Sequence, residues 1–171
     1  GSIMEKFLKL EQLIRDRLNQ IGQFLPLLLV RVILAWEYWE AGAQKFSGEN
    51  WFHHIQENFP FPFNILDTQI SWFMATWFEL LGAVALLLGL GVRYVSLSLL
   101  ILTLVATLAV HVPPEGWDSF AQMLKGYAIT DKGFGNYKLP LLYSILFMPL
   151  LFMGGGKASI DHFIYQRLNK T

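Results

Sequence analysis

The chain has 171 residues, 54% of them hydrophobic and 15% charged, with a formal net charge of zero. That length bounds it to one domain, and that apolarity exceeds the range of an ordinary soluble domain. The neutral balance offers no footing for nucleic acid. The absence of cysteine excludes CxxC redox chemistry, iron–sulfur clusters and a disulfide framework.

Gly1-Ser2-Ile3 reads as an expression scar, residues 1–3, ahead of Met4. Residues 4–20 place Phe7, Leu10, Ile14 and Leu18 at helical spacing among mixed charges. This predicts an amphipathic helix on the membrane face or against the bundle. Because that polar stretch precedes the first apolar run, no cleavable signal peptide is visible. Residues 21–163 then carry four apolar runs, each suited to a span. The first covers 24–46, with Pro26 in its first turn. The second covers 69–90, and a Gly89/Gly91 turn leads to the third, 94–112, which Pro113-Pro114 ends. The fourth covers 137–153 and closes on Gly154-Gly155-Gly156, with Pro140 in its first turn and Pro149 expected to kink it. Residues 164–171 read as a cytoplasmic tail. The fold expected is an all-α integral membrane protein, a four-transmembrane-helix bundle with an N-terminal amphipathic helix and two aromatic-rich outer loops.

Basic residues set the expected orientation. With both termini on one side, that side holds eight of them: Lys6, Lys9, Arg15, Arg17, Arg93, Lys157, Arg167 and Lys170. The other side holds four, Lys45, Lys125, Lys132 and Lys138. The positive-inside rule then puts both termini in the cytoplasm. The outward loops, 47–68 and 113–136, are crowded with Trp51, Phe52, Phe59, Phe61, Phe63 and Trp72, and with Trp117, Phe120, Tyr127, Phe134 and Tyr137. These rings suit an interfacial belt, or a lid or docking surface over the bundle mouth.

The charges inside the spans carry the functional reading. Glu79 lies within a run, 70–91, that is otherwise free of charge, and an intramembrane carboxylate needs a partner or a wet cavity. On the first span Arg31, Ala35, Tyr38, Gly42 and Lys45 fall on one side, and Glu37, Glu40 and Gln44 roughly opposite. Counting depth from the outer ends places Glu79 at ~13 Å and Arg31 at ~21 Å. Arg31 is therefore expected to pair with Glu79, with Glu37 or Tyr38 completing the network. Such a pair marks a functional pocket or simply locks the packing.

A copper site from His53 or His54, His111 and Met123 or Met74 is a weaker candidate, since adjacent histidines diverge by about 100° on a helix. For a quinone, Arg31 or Lys45 would donate to a carbonyl, Glu79 would relay a proton, and Trp36 and Trp77 would supply walls.

RVILAWEYWEAGAQKF, with Arg31, Gly42 and Lys45, resembles the first helix of the DoxX family. ELLGAVALLLGLGVR, from Glu79 through Gly82 to Arg93, resembles its second helix, and GKASID, ending at Asp161, its closing motif. GENWFHHIQENFPFPFN, VHVPPEGW and GFGNYKLPLLY resemble the HvfX-type branch. The family resemblance implies a four-helix membrane bundle and links to a thiosulfate:quinone oxidoreductase and to oxidative-stress complexes. The branch implies work beside the biosynthesis of exported, modified copper-binding peptides. The expected function is an accessory protein in metal or redox stress, assisting maturation, handling or export of such a peptide. Its partners would be membrane lipid and the peptide or its maturation proteins. A quinone-linked oxidoreductase subunit and a structural scaffold are the alternatives.

Overall fold

The computed structural model describes residues 1–130 and 135–170, and among these residues every regular element is helical. Lys132 and Phe134, used in the charge and aromatic arguments above, lie outside the described residues. In chain order the helices are α1 (Ile3–Gly22), α2 (Leu25–Ser47), α3 (Thr68–Leu88), α4 (Val92–Ala106), α5 (Phe120–Lys125), α6 (Lys138–Met153) and α7 (Ile160–Asn169).

α1 opens on Ser2, whose hydroxyl accepts the Glu5 N–H. None of its residues is buried, so its apolar face does not pack against the bundle. Glu11 and Arg15 pair across one turn, and the Arg15 hydrogen bond holds the Glu11 carboxyl below its usual range.

Three helical runs are long and apolar enough to cross a membrane: the one ending at Ser47, Thr68–Leu88, and Val92–His111, where a π-turn over Thr107–His111 extends α4. α6 has 16 residues, about 24 Å of helix against a hydrocarbon core of ~30 Å. It still packs into the bundle against α4 and α2, and its Phe147 and Leu150 are fully buried. The protein is therefore an all-helical membrane protein with three to four spans. Pro149 lies inside α6, and the helix continues past it to Met153.

The core gathers Leu34, Leu86, Val92, Leu99, Phe147 and Leu150, whereas Leu29, Ile33, Phe73, Leu81 and Leu87 face outward as a lipid-facing belt. Two glycines let neighbouring helices run close, one between α2 and α3 and one between α3 and α4. Gly42 lies against Leu80, where an added Cβ would fall 3.1 Å from the Leu80 backbone nitrogen. Gly82, on the neighbouring face of α3, lies under Leu99 of α4.

The helix ends on the side of both termini are tied together. Gly89 (φ 74°) ends α3 and Gly91 (φ 60°) opens α4, both in the left-handed region that glycine favours. Asp161, at the start of α7, accepts the Gly91 and Val92 N–H groups at 2.7 and 2.9 Å, and its own N–H donates to the Gly89 carbonyl at 2.9 Å. Arg93 donates to the carbonyls of Leu151 and Phe152, where α6 ends. Residues 160–163 thus belong to the same helix as the segment read from sequence as a tail.

Candidate functional site

Side-chain lean decides which intramembrane charges meet. Cα–Cβ bonds in a helix tilt toward its N-terminus. α2 starts at the end holding both termini, and α3 starts at the opposite, aromatic-loop end. Lys45 on α2 and Glu79 on α3 therefore lean toward each other. Lys45 Nζ lies 2.9 Å from Glu79 Oε1 and 3.2 Å from Oε2. Glu79 is 2% exposed, so this ion pair is removed from water on the carboxylate side.

The same lean overturns the expected Arg31–Glu79 pair. Arg31 points away from Glu79, toward the end where α3 stops. Its Nε donates to the Leu86 carbonyl at 2.8 Å, and Nη2 to that of Leu87 at 3.0 Å. Nη1 donates to the carbonyls of Gly155 at 3.0 Å and Ala158 at 2.7 Å. A guanidinium with five N–H donors suits this task, because helix ends leave carbonyls without partners. At 1% exposed, Arg31 is a structural clasp rather than part of the Glu79 site.

Behind the ion pair lies a second polar layer. The Tyr38 hydroxyl pairs with Thr103 Oγ1, and the Thr103 hydroxyl donates to the Leu99 carbonyl. The Tyr38 ring meets Tyr143 and Phe147 edge to face at 6.0 and 5.4 Å. Tyr143 in turn donates to Glu37 at 3.0 Å. Glu37 thus bonds across the bundle to α6 instead of joining the Lys45–Glu79 pair. Glu40 stays exposed and accepts from Trp36 Nε1. Trp36 and Trp77 both face outward; neither lines the cavity described next.

Above the ion pair, toward the aromatic loops, is a cavity of about 290 Å³. Lys45, Glu79, Ser71 and Ser98 are its polar lining; the rest of the wall, including Phe52, Phe59, Met74 and Phe78, is apolar. The first loop folds over it. Phe52 and Phe59 are buried with Ala109 in a cluster that also takes in Phe63 and Trp72. Phe52 meets Trp72 at 4.8 Å and Phe59 at 5.1 Å. Gln56 and Asn50 anchor the loop by donating to the carbonyls of Leu66 and Thr68. These rings form a lid, while Phe61, on the turn that follows, is exposed.

The histidines do not join this site. His53 and His54 are exposed, their rings 3.9 Å apart and tilted at 44°, and His111 Nδ1 pairs with Asn136 Oδ1 at 2.8 Å. Among the described residues no three His, Cys, Asp or Glu side chains gather where they could hold a metal. Sequence reasoning missed Ser71, Thr103 and Tyr143. Each is a small or ring-borne hydroxyl within an apolar run, which hydropathy does not single out.

Residues 26–112 match the DoxX family. Over 148 residues the chain is 40% identical to an uncharacterized protein of Haemophilus influenzae, covering 86% of this chain and 89% of the relative. No solved structure matches it. The matched span holds Arg31, Gly42, Lys45 and Glu79, which build the clasp, the close α2–α3 contact and the buried ion pair, together with Gly82 and Arg93, and by that match the chain belongs to the DoxX family.

Proposed function

We propose that this DoxX protein is an accessory factor of a bacterial inner membrane, both termini cytoplasmic, that takes a lipophilic carbonyl compound of the quinone class into the cavity above Lys45 and Glu79. One observation carries this reading: an apolar cavity of about 290 Å³ has a buried ion pair in its wall. For stability alone such a pair gains little, since apolar residues of similar volume do as well or better. Ionisable groups at membrane depth are the usual mark of a binding or transfer site. Apolar walls with a few convergent polar groups are also what small-molecule sites look like. The Lys45 ammonium has three donors and Glu79 occupies two at most, so one is left for a carbonyl oxygen. Glu79, beside it, holds that ammonium in position in the wall.

The test is native mass spectrometry with quinone and metal analysis on gently extracted protein. A titration with a short-tailed benzoquinone follows, read by quenching of Trp51 at the cavity wall. Saturable binding is expected, weakened about tenfold or more, at least ~1.4 kcal/mol, by Lys45→Met and by Glu79→Gln. Absence of bound quinone together with unsaturable quenching would overturn the proposal. The narrower role, assisting maturation or export of a copper-binding modified peptide, is supported by the HvfX-type motifs in the loops. Stoichiometric copper or a co-purified modified peptide in the same spectra would put that role first.

A further inference from the structure

We infer that Ser71 is a second polar anchor of the cavity, and that the ligand reaches it sideways from the bilayer between α3 and α4, carrying polar groups at both ends of an apolar core. This rests on the reading of the cavity as a ligand site and adds what the ligand must look like and how it arrives.

Ser71 is 6% exposed, lines the cavity, and its hydroxyl has no partner among the described residues. Other helical hydroxyls here fold back on the carbonyl four residues earlier: Ser98 on Tyr94, Ser144 on Pro140, Thr76 on Trp72 and Thr107 on Thr103. Ser71 departs from this habit. The corresponding carbonyl, that of Asp67, already accepts the N–H groups of Ile70 and Ser71. A buried hydroxyl without a bond is costly in apolar surroundings, and here it borders open space that a ligand group would fill. Ser96 is likewise unpartnered, but it does not line the cavity.

The spacing restricts the ligand. Ser71 and Glu79 lie eight positions apart on α3, about 12 Å along the helix axis. A ring with acceptors on opposite edges, hydrogen-bonded at both, spans on the order of 11 Å. A molecule with one polar end engages Lys45 and leaves Ser71 unsatisfied.

The route follows from exposure. Met74 and Phe78 of α3 and Ile101 of α4 line the cavity and are 37%, 47% and 52% exposed. These helices face lipid, so the route we infer passes between them; on the loop side Phe52 and Phe59 are buried over the cavity and Trp51 stands at its exposed rim.

Two probes test this on the full chain in lipid nanodiscs: a decyl-substituted 1,4-benzoquinone and a decyl-substituted cyclohexanone with a single carbonyl. Wild-type protein is expected to bind the quinone at least tenfold more tightly. Ser71→Ala is expected to lose most of that preference with the cyclohexanone affinity unchanged, and Ser71→Thr to keep it. Unaltered preference in Ser71→Ala would overturn the anchor. Ile101→Phe, which narrows the lateral gap, is expected to slow quinone association several-fold, and an unchanged rate would overturn the lateral route. If wild-type protein binds neither probe, the cavity reading itself fails and this inference falls with it.

Discussion

Arg31 shows how much one side chain can hold at the residue scale. Its guanidinium serves four carbonyls drawn from the end of α3 and from the turn after α6. Removing it leaves buried acceptors without their charged donor, at about 1–3 kcal/mol for each group left unsatisfied. Leu86 O also accepts from Gly89 N–H, so the loss is less than four such terms. Arg31→Leu is expected to lower stability by about 2–4 kcal/mol, measured by unfolding in detergent. Arg31→Lys should recover only part, because an ammonium cannot present a planar fork to carbonyls on two segments. A leucine variant as stable as wild type would show that the carbonyls find other partners. The charged residues themselves were legible in sequence, as was the division of α2 into two polar faces. Their pairing was not legible from depth alone: the count brought Arg31 near Glu79, and the lean of the two side chains in antiparallel helices separated them.

At the scale of elements, α2 and α3 approach through Gly42. An added side chain there meets Leu80, including its backbone nitrogen at 3.1 Å, so the helices must part to admit it. Gly42→Val is expected to cost about 1–3 kcal/mol by overpacking. It should also weaken quinone binding, because Lys45 sits one turn further along the same face. Unchanged binding in a folded variant would separate the packing from the site. Helix ends read from sequence fall within about two residues of those observed, because proline, glycine and the switch from apolar to polar residues mark them. α7 was not read, although Ser159 caps it and Ile160, Phe163, Ile164 and Leu168 recur at helical spacing. Its mixed charges resembled a tail. The lid was foreseeable only as one of two readings, since an interfacial belt and a folded cluster use the same rings.

For the whole molecule, the charge asymmetry supports the proposed orientation, both termini cytoplasmic. Alkaline phosphatase fused after residue 170 is expected to be inactive, and fused within 114–119 to be active. The reverse pattern would invert the topology and turn the aromatic lid toward the cytoplasm. The clasp has a further consequence for how the molecule is made. Arg31 enters the membrane with the first span, but two of its acceptors, the carbonyls of Gly155 and Ala158, lie 124 and 127 residues later. During synthesis the nascent chain must carry this cation with part of its hydrogen-bonding set unfilled until the fourth apolar helix has been inserted. The clasp therefore closes only once the segment through Ala158 has been made, and a ribosome that stops before Gly155 leaves behind a charged, open intermediate for quality control to find.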